Sequence, residues 1–314
     1  MLLRFLLIIW MIVFFPQPVF AGFADRPDVK KFINQMTERH NFVRSELVDL
    51  FNHVKMRPAV IQSVKAPLEA KPWYTYQKLF ITEWRIREGV AFWNKHEAAL
   101  ERAEQIYGVP ASIIVATLGV ETKYGLHTGE YRVIDALSNL AFSHSSRAPF
   151  FRSELEQFLL LVREQNMDPL KVTGSYAGAM GQPQFMPSSI RQYAIHFSGN
   201  SHIDLEHNAI DAIGSVANYY NKHGWNTHQP VAIQTRLQAQ PFGFLTHNRI
   251  PQTPSLSGYK AKLIELQGYS GREYWLGYPN FEVIKRYNPS DLYAMAVYQL
   301  SDQIAMLRGK SDNA

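Results

Sequence analysis

Residues 108–125 read GVPASIIVATLGVETKYG, a pattern that predicts a helix buried on most of its sides. Pro110 fits the first helical turn, where its missing backbone N–H is not needed, and Gly125 fits a left-handed stop. Between them, apolar side chains point in nearly every direction around the axis: Ile113, Ile114, Val115, Ala116, Leu118 and Val120. The rest of the chain is expected to pack around this helix.

One carboxylate, Glu121, follows the apolar run. Its position in the last turn, where the helix dipole disfavours an anion, and its partial burial both predict a raised pKa, with Lys123 opposing the rise. A carboxyl group that stays protonated near neutral pH can serve as a general acid. Taken alone, Glu121 is more typical of an ordinary helix end that pairs with a lysine or with water.

The N-terminus, residues 1–21, has the pattern of a secretory signal peptide: an early Arg4, an apolar run and a small-residue ending at Ala21. The run is shorter than the roughly 20 apolar residues of a transmembrane helix, and an uncleaved anchor is the alternative. The 314 residues include no cysteine, and hence neither a disulfide nor a lipid-anchoring thiol. The sequence therefore predicts an exported, unlipidated protein of a bacterial periplasm.

The formal net charge of +5 favours an anionic partner, such as nucleic acid, a membrane surface or a cell-wall polymer. The basic residues do not run together, which disfavours a nucleic-acid binder.

The mature chain predicts a mainly α fold with a small β insertion. Helical patterns cover residues 28–57, 83–107, 108–125, 134–142, 150–165, 187–197 and 211–223, the last with Asp211 as its cap. After Pro230, short segments rich in β-branched and aromatic residues predict strands at 231–237, 259–267, 274–276 and 281–287. A final helix is expected at 291–308, capped by Ser290 or Asp291 and stopped at Gly309.

Two further segments attract attention. Residues 174–188, GSYAGAMGQPQFMPS, suit a groove wall where the backbone approaches a ligand closely, although a tight buried turn is an equal alternative. Residues 286–290, RYNPS, place Asn288 at a strand-to-helix corner, for which ordinary turn chemistry is the simpler reading.

Four blocks together resemble the lytic murein transglycosylase B family, whose members cleave peptidoglycan. They are GVETxxG at 119–125, GAMGxxQFMPS at 178–188, DAIGSVANY at 211–219, and RYN at 286–288 followed by YAMAV at 293–297. The resemblance implies a lysozyme-like helical core, an N-terminal α domain and a small β domain. We accordingly divide the chain into a signal peptide (1–21), an N-terminal α domain (22–107), a catalytic core (108–229), a β domain (230–287) and a C-terminal helix (288–314).

The resemblance also implies the chemistry. Glu121 would be the sole acid/base: it protonates the glycosidic oxygen between N-acetylmuramic acid and N-acetylglucosamine. It then accepts the proton of the muramoyl 6-hydroxyl, which attacks the anomeric carbon and leaves a 1,6-anhydro end. Ordinary glycosidases use two carboxylates, whereas substrate-assisted enzymes replace the second with the sugar's acetamido group. Within the four blocks the only other acid is Asp211.

Other positions match the family's groove, and we expect them to bind substrate: Ser175, Gln184, Phe185, Tyr219, Tyr287, Asn288, Tyr293, Arg147 and, on weaker grounds, Tyr76. Ser175 and Asn288 are expected nearest the reacting acetamido group, and Arg147 near the anionic peptide stem. Tyr219 is expected at the groove rim, to one side of its helix's apolar stripe. For each aromatic residue taken singly, core packing is the alternative.

Some family members carry a calcium loop before the Asp211 helix. Here His196 and Asn200 stand where acidic ligands would be expected, so we predict no calcium site. No zinc spacing is present among the histidines, and we predict no cofactor.

The expected partner is the glycan strand of peptidoglycan, together with cell-wall synthesis or divisome proteins, and the expected state is a monomer. Two rival functions stay open from sequence: a hydrolytic muramidase with the same site, and a non-catalytic peptidoglycan-binding protein.

Overall fold

The computed structural model describes residues 22–63, 71–143, 145–199, 202–235 and 261–311. The predicted signal peptide lies outside these residues. Two compact units are present, one ending at Val54 and the other beginning at Lys55.

The first unit contains a 3₁₀ turn, Phe23–Asp25, and helices α1, Pro27–His40, and α2, Arg44–Asn52. Its core includes Phe32 and Phe51, whose rings meet edge to face at 6.0 Å. The prediction of one helix over 28–57 is wrong, because Asn41 adopts a left-handed conformation (φ 56°) that ends α1. Asparagine is among the few side chains that tolerate this conformation.

The second unit is mainly helical, as predicted. Its helices are α3 (Pro58–Ser63), α4 (Trp73–Phe80), α5 (Glu83–Lys95), α6 (Glu97–Tyr107), α7 (Ala111–Thr122), α8 (Val133–Ala141), α9 (Ala148–Glu164), α10 (Pro187–Tyr193), α11 (Ala209–Lys222), α12 (Pro279–Tyr287) and α13 (Asp291–Ser311). The expected helix over 83–107 is divided between α5 and α6 at His96, whose backbone leaves the helical region (φ −118°, ψ 24°).

Helix α7 is the buried helix predicted from residues 108–125. Apart from Ser112 and Glu121, each of its residues is buried. Helices α5, α6, α11 and α13 pack around it. Its stop comes earlier than predicted, because Lys123 and Tyr124, with φ of 52° and 63°, already adopt the left-handed conformation that was expected at Gly125 alone.

Two small antiparallel sheets complete the described structure. Strand β1, Tyr131–Arg132, pairs with β2, Thr173–Gly174. The second sheet has the order β3–β5–β4, with β3 at Ala232–Thr235, β4 at Lys262–Gly268 and β5 at Gly271–Gly277. Residues 236–260, which include parts of two predicted strands, lie outside the described residues.

The predicted strand over 281–287 is wrong, since these residues form most of α12. Pro279 begins the helix at a position that needs no N–H, and Phe281 and Ile284 bury one helical face. A short apolar run gives little basis for choosing between helix and strand. Asn288 therefore lies at a corner between two helices.

The final helix begins as predicted, with the Ser290 hydroxyl accepting the backbone N–H of Tyr293 at 3.3 Å. It continues past Gly309 to Ser311.

Within the described ranges, no single helix has both the length and the hydropathy of a membrane span. Helices α6 and α7, which meet at a bend of 114°, have that length and hydropathy only when they are taken together, and only by length and composition.

Candidate active site

The carboxylate of Glu121 stands half-buried at the end of α7. Its Oε1 accepts a hydrogen bond of 2.6 Å from the hydroxyl of Tyr293, in the first turn of α13. The side chain of Tyr293 is only 3% exposed. A buried tyrosine thus fixes one oxygen of the carboxylate, because this short bond to a charged acceptor is of the strong kind.

Five rings pack together beside this carboxylate, and we call them the aromatic cluster: Phe185, Tyr219, Tyr220, Tyr287 and Tyr293. Tyr287 occupies its middle, with ring centroids 4.8 Å from Tyr219, 5.5 Å from Tyr220 and 6.3 Å from Tyr293. The cluster joins α11, α12, α13 and the segment 174–188 around the end of α7.

The tyrosine hydroxyls of the cluster are tied to fixed groups. Tyr219 donates to the carbonyl of Arg286 at 2.6 Å, and Tyr287 donates to the carbonyl of Pro183 at 2.5 Å. The Tyr220 hydroxyl lies 2.9 Å from Thr117 Oγ1, one turn before Glu121. These bonds hold the rings in one arrangement.

The cluster also keeps its hydroxyls neutral. Burial raises the pKa of Tyr220, Tyr287 and Tyr293, and the negative charge of the Glu121 carboxylate raises each pKa further. Each of these groups therefore stays an O–H donor throughout the neutral range.

The end of α7 is held on its other side by the segment 174–188. Thr122, next to the carboxylate, donates from Oγ1 to the Gln182 carbonyl at 2.8 Å and accepts the Gly125 N–H at 2.9 Å. Gln184, held at φ 50°, donates from Nε2 to the carbonyl of Thr128 at 2.9 Å. This contact joins the segment to the turn that follows α7.

A buried arginine fixes the carbonyl end of α7. Arg85, 5% exposed, donates from Nε to the Gly119 carbonyl at 2.8 Å, and from Nη1 to the carbonyls of Leu79 and Phe80 at 2.7 and 2.8 Å. The Tyr124 hydroxyl donates to the carbonyl of Arg85 at 2.6 Å. A Cβ at position 119 would lie 2.6 Å from that hydroxyl, which explains the glycine two residues before Glu121.

Five predicted site residues meet around one point: Glu121, Phe185, Tyr219, Tyr287 and Tyr293. Gln184 supports them through the turn after α7. Asn288 follows Tyr287 directly and is half-buried at the start of the α12–α13 corner.

The other predicted residues make different contacts. The Ser175 hydroxyl oxygen accepts the backbone N–H groups of Ala177 and Ala179 at 3.3 and 3.0 Å. Arg147 is exposed just before α9, with its guanidinium over the rings of Phe150 and Phe151.

Two tyrosines lie deeper than expected. Tyr219 does not form a groove rim, because α11 is buried at every position from Asp211 to Tyr220. Tyr76 is 1% exposed in the core, between Trp73 and Phe80, which argues against its lining a groove.

The family model of the transglycosylase SLT domain matches residues 24–302. The chain belongs to this family.

The membrane-bound lytic murein transglycosylase B of Escherichia coli (strain K12) is 44% identical over 309 residues, which cover 92% of this chain and 85% of that protein. The structure of SltB1, a soluble lytic transglycosylase of Pseudomonas aeruginosa, matches with a TM-score of 0.82 at 46% identity, covering 90% of this chain and 100% of that one.

A third match is the structure of SltB3 from Pseudomonas aeruginosa, solved in complex with NAG-NAM-pentapeptide. It has a TM-score of 0.77 at 30% identity and covers 88% of this chain and 78% of that one. The resemblance inferred from the four blocks is confirmed, as is the mainly helical, lysozyme-like fold. By family, the chain is an enzyme, a lytic murein transglycosylase.

The side chain of Asp211 binds the segment that precedes α11. Asp211 is not the helix cap, since Asn208 accepts the N–H groups of Ile210 and Asp211. The fully buried Asp211 carboxylate instead accepts the N–H groups of Ser198 and Asp204, at 2.7 and 3.1 Å. Both oxygens of this carboxylate are thus used by backbone N–H groups of that segment. In the part of the chain that the structure describes, which excludes residues 200 and 201, no three acidic or histidine side chains are grouped to hold a metal ion.

Sequence reasoning missed Arg85, Thr122 and Tyr124 as supports of the site. Thr122 could have been noticed beside Glu121, where a hydroxyl can bond a neighbouring loop. Arg85 gives no such local signal, because it lies on another helix and bonds only backbone carbonyls.

Proposed function

We propose that this enzyme cleaves the β-1,4 bond between N-acetylmuramic acid and N-acetylglucosamine in peptidoglycan and leaves a 1,6-anhydro-muramoyl end. The observation that carries the proposal is the half-buried Glu121 carboxyl, with one oxygen bonded to a neutral buried tyrosine. The complex of SltB3 with NAG-NAM-pentapeptide supports peptidoglycan as the class of substrate.

In the proposed reaction, protonated Glu121 donates its proton to the glycosidic oxygen while the bond from that oxygen to the anomeric carbon breaks. The muramoyl 6-hydroxyl then attacks the anomeric carbon and passes its proton to the Glu121 carboxylate. The carboxyl is restored, the N-acetylglucosamine leaves with a free 4-hydroxyl, and no water is consumed. One residue can act first as acid and then as base because the two steps need opposite protonation states.

Tyr293 orients the acid in this scheme. Its hydroxyl donates to Oε1 and so holds the carboxyl group in one orientation. Because burial keeps Tyr293 neutral, its hydroxyl donates a hydrogen bond to Glu121 in both steps. It does not exchange its proton with the carboxyl group at neutral pH. Tyr287, packed on Tyr293, limits the rotation of that ring.

The absence of a second catalytic carboxylate from the four blocks is part of the proposal. Asp211 is fully buried and bonded to backbone N–H groups, so it is unsuited to act as a nucleophile or a base. The acetamido group of the muramoyl sugar would take the place of the second carboxylate. We propose that Ser175 and Asn288 lie nearest this acetamido group, and that Arg147 meets the carboxylates of the peptide stem.

The wider organisation follows the same proposal. We assign residues 22–107 to an N-terminal α domain, 108–229 to the catalytic core, 230–287 to a β domain and 288–314 to the C-terminal helix. The enzyme would act as a monomer in the periplasm, after export directed by residues 1–21, alongside cell-wall synthesis or divisome proteins.

The test is mass spectrometry of the material released from purified peptidoglycan by residues 22–314. Anhydro-muropeptides, one water lighter than their reducing counterparts, support the proposal. Products with reducing ends would indicate a hydrolytic muramidase, in which water replaces the 6-hydroxyl. No release at all would indicate a peptidoglycan-binding protein without this activity.

A further inference from the structure

The tip of the β4–β5 hairpin exposes an aromatic ring that the proposed reaction does not use. Tyr269, in the two-residue turn between the strands, is 82% exposed, the highest exposure among the large hydrophobic residues described. The ammonium of Lys78, on α4, lies 5.2 Å from the centre of its ring. The hairpin tip is therefore beside α4, and its ring is open to solvent.

A cavity of about 780 Å³ lies between α4 and the hairpin, lined by side chains from both. Tyr74 and Lys78 are four residues apart on α4 and share one face of it. Glu265 and Gln267 are two residues apart on β4, so their side chains point to the same side of the sheet. Arg272, directly opposite Gln267, also points to that side and forms an ion pair with Glu265 at 2.8 Å.

The groups on this surface match those that a sugar ring presents. A pyranose ring has C–H groups on its faces, which an aromatic ring can cover, and hydroxyl groups around its edge. Tyr269 and Tyr74 offer aromatic faces. Gln267 supplies a donor and an acceptor, Arg272 donors and Glu265 acceptors, which match hydroxyl groups.

The charges favour a sugar polymer that also carries carboxylates. Arg272 lines the cavity and is paired with Glu265, while Lys78 adds a second cation beside it, over the ring of Tyr269. Peptidoglycan combines pyranose rings with the carboxylates of its lactyl-peptide stems, which suits a surface of this composition.

We propose that the surface formed by Tyr74, Lys78, Gln267, Tyr269 and Arg272 is a second glycan-binding site, which holds peptidoglycan in addition to the sugars at Glu121. This inference rests on the proposed function, since it takes the same polymer as ligand. The two sites share no lining residue, so a change at Tyr269 leaves the groups around Glu121 in place.

The test is co-sedimentation with insoluble peptidoglycan, using the Glu121→Gln protein so that the polymer stays intact. Adding Tyr269→Ala should raise the dissociation constant about 3- to 10-fold, since an aromatic contact is worth about one power of ten at most. Adding Tyr269→Phe should keep the affinity, because the ring carries the contact. Ile106→Ala, a truncation at a 57% exposed site on α6, is the matched control and should leave binding unchanged.

A second measurement uses the active enzyme. Tyr269→Ala should lower the ratio of cleavage rates on long glycan strands and on short soluble fragments by a similar factor. The inference would be overturned if Tyr269→Ala changed neither measurement. These are the co-sedimentation of the Glu121→Gln protein with peptidoglycan and the ratio of cleavage rates of the active enzyme. A change in solution mass with Tyr269→Ala, by sedimentation velocity, would also overturn it, because a second copy of the chain would then cover the surface. Failure of the proposed function looks different, since the unmodified enzyme would then release no anhydro-muropeptides.

Discussion

Removing the hydroxyl of Tyr293 tests how the acid is held. Tyr293→Phe deletes one 2.6 Å hydrogen bond to the Glu121 carboxyl and keeps the ring that stacks on Tyr287. A hydrogen bond to a charged group contributes about 1.5–3 kcal/mol, so kcat/KM should fall about 10- to 150-fold if the bond is fully used in the transition state.

The pH dependence should change as well. The Tyr293 hydroxyl stabilises the carboxylate form, so its loss raises the pKa of Glu121. The first step needs protonated Glu121, and activity declines as pH rises through that pKa. The alkaline limb of the kcat/KM profile should therefore move to higher pH in Tyr293→Phe.

The matched control is Tyr287→Phe, which removes a buried hydroxyl of the same cluster that bonds the Pro183 carbonyl rather than the acid. It should lower stability by about 1–3 kcal/mol, because a buried carbonyl loses its donor, and leave the alkaline limb in place. The reasoning would be refuted if the alkaline limb of Tyr293→Phe lay at the same pH as that of the unmodified enzyme and kcat/KM changed less than about 3-fold.

Three further predictions concern the supports of the site and the stability of α13. Arg85→Met should lower the free energy of unfolding in urea by about 3 kcal/mol or more, since the buried Gly119 carbonyl and the carbonyls of Leu79 and Phe80 lose their donor; a loss below about 1 kcal/mol would contradict this role. Thr122→Val should lower kcat more than it raises KM, because the lost bond to Gln182 positions the end of α7; steady-state kinetics in which only KM changes would argue otherwise. Burial raises the pKa of Asp302, so the folded state binds this proton more tightly than the unfolded state does. The free energy of unfolding therefore declines as pH rises from the ordinary aspartate range through the raised pKa. Asp302→Asn, neutral at every pH, should remove that decline in unfolding curves at pH 3 to 7, and an unchanged slope would count against it.

Much of the fold follows from local patterns. The largely apolar run at 113–120 predicted a helix buried on most sides, and α7 is such a helix because four helices cover it. Ser290 was predicted as a cap, and its hydroxyl accepts the Tyr293 N–H. Patterns of this kind depend on neighbours in sequence, so they can be read without the tertiary structure.

Other features depend on contacts between distant residues. Residues 281–287 are rich in apolar residues and resemble a strand, yet they form a helix that packs on the aromatic cluster through Tyr287. Asp211 stands at the start of a helical pattern, where a cap is expected. The cap is Asn208 instead, and the Asp211 carboxylate accepts the N–H of Ser198 in the loop before the helix.

The residues of the site also divide into those that local patterns indicate and those that depend on distant contacts. Family blocks brought out Glu121, Phe185, Tyr287 and Tyr293, and these residues do meet. Arg85 could not be found in this way, because its function depends on a carbonyl 34 positions along the chain.

The most direct test of the central claim is the product spectrum of Glu121→Gln compared with that of Glu101→Gln, an exposed acid on α6 outside the site. Both variants should fold as the unmodified protein does, by circular dichroism and thermal unfolding. The account predicts that Glu101→Gln releases anhydro-muropeptides from peptidoglycan normally and that Glu121→Gln releases none above background. Anhydro products at an undiminished rate from Glu121→Gln would contradict it.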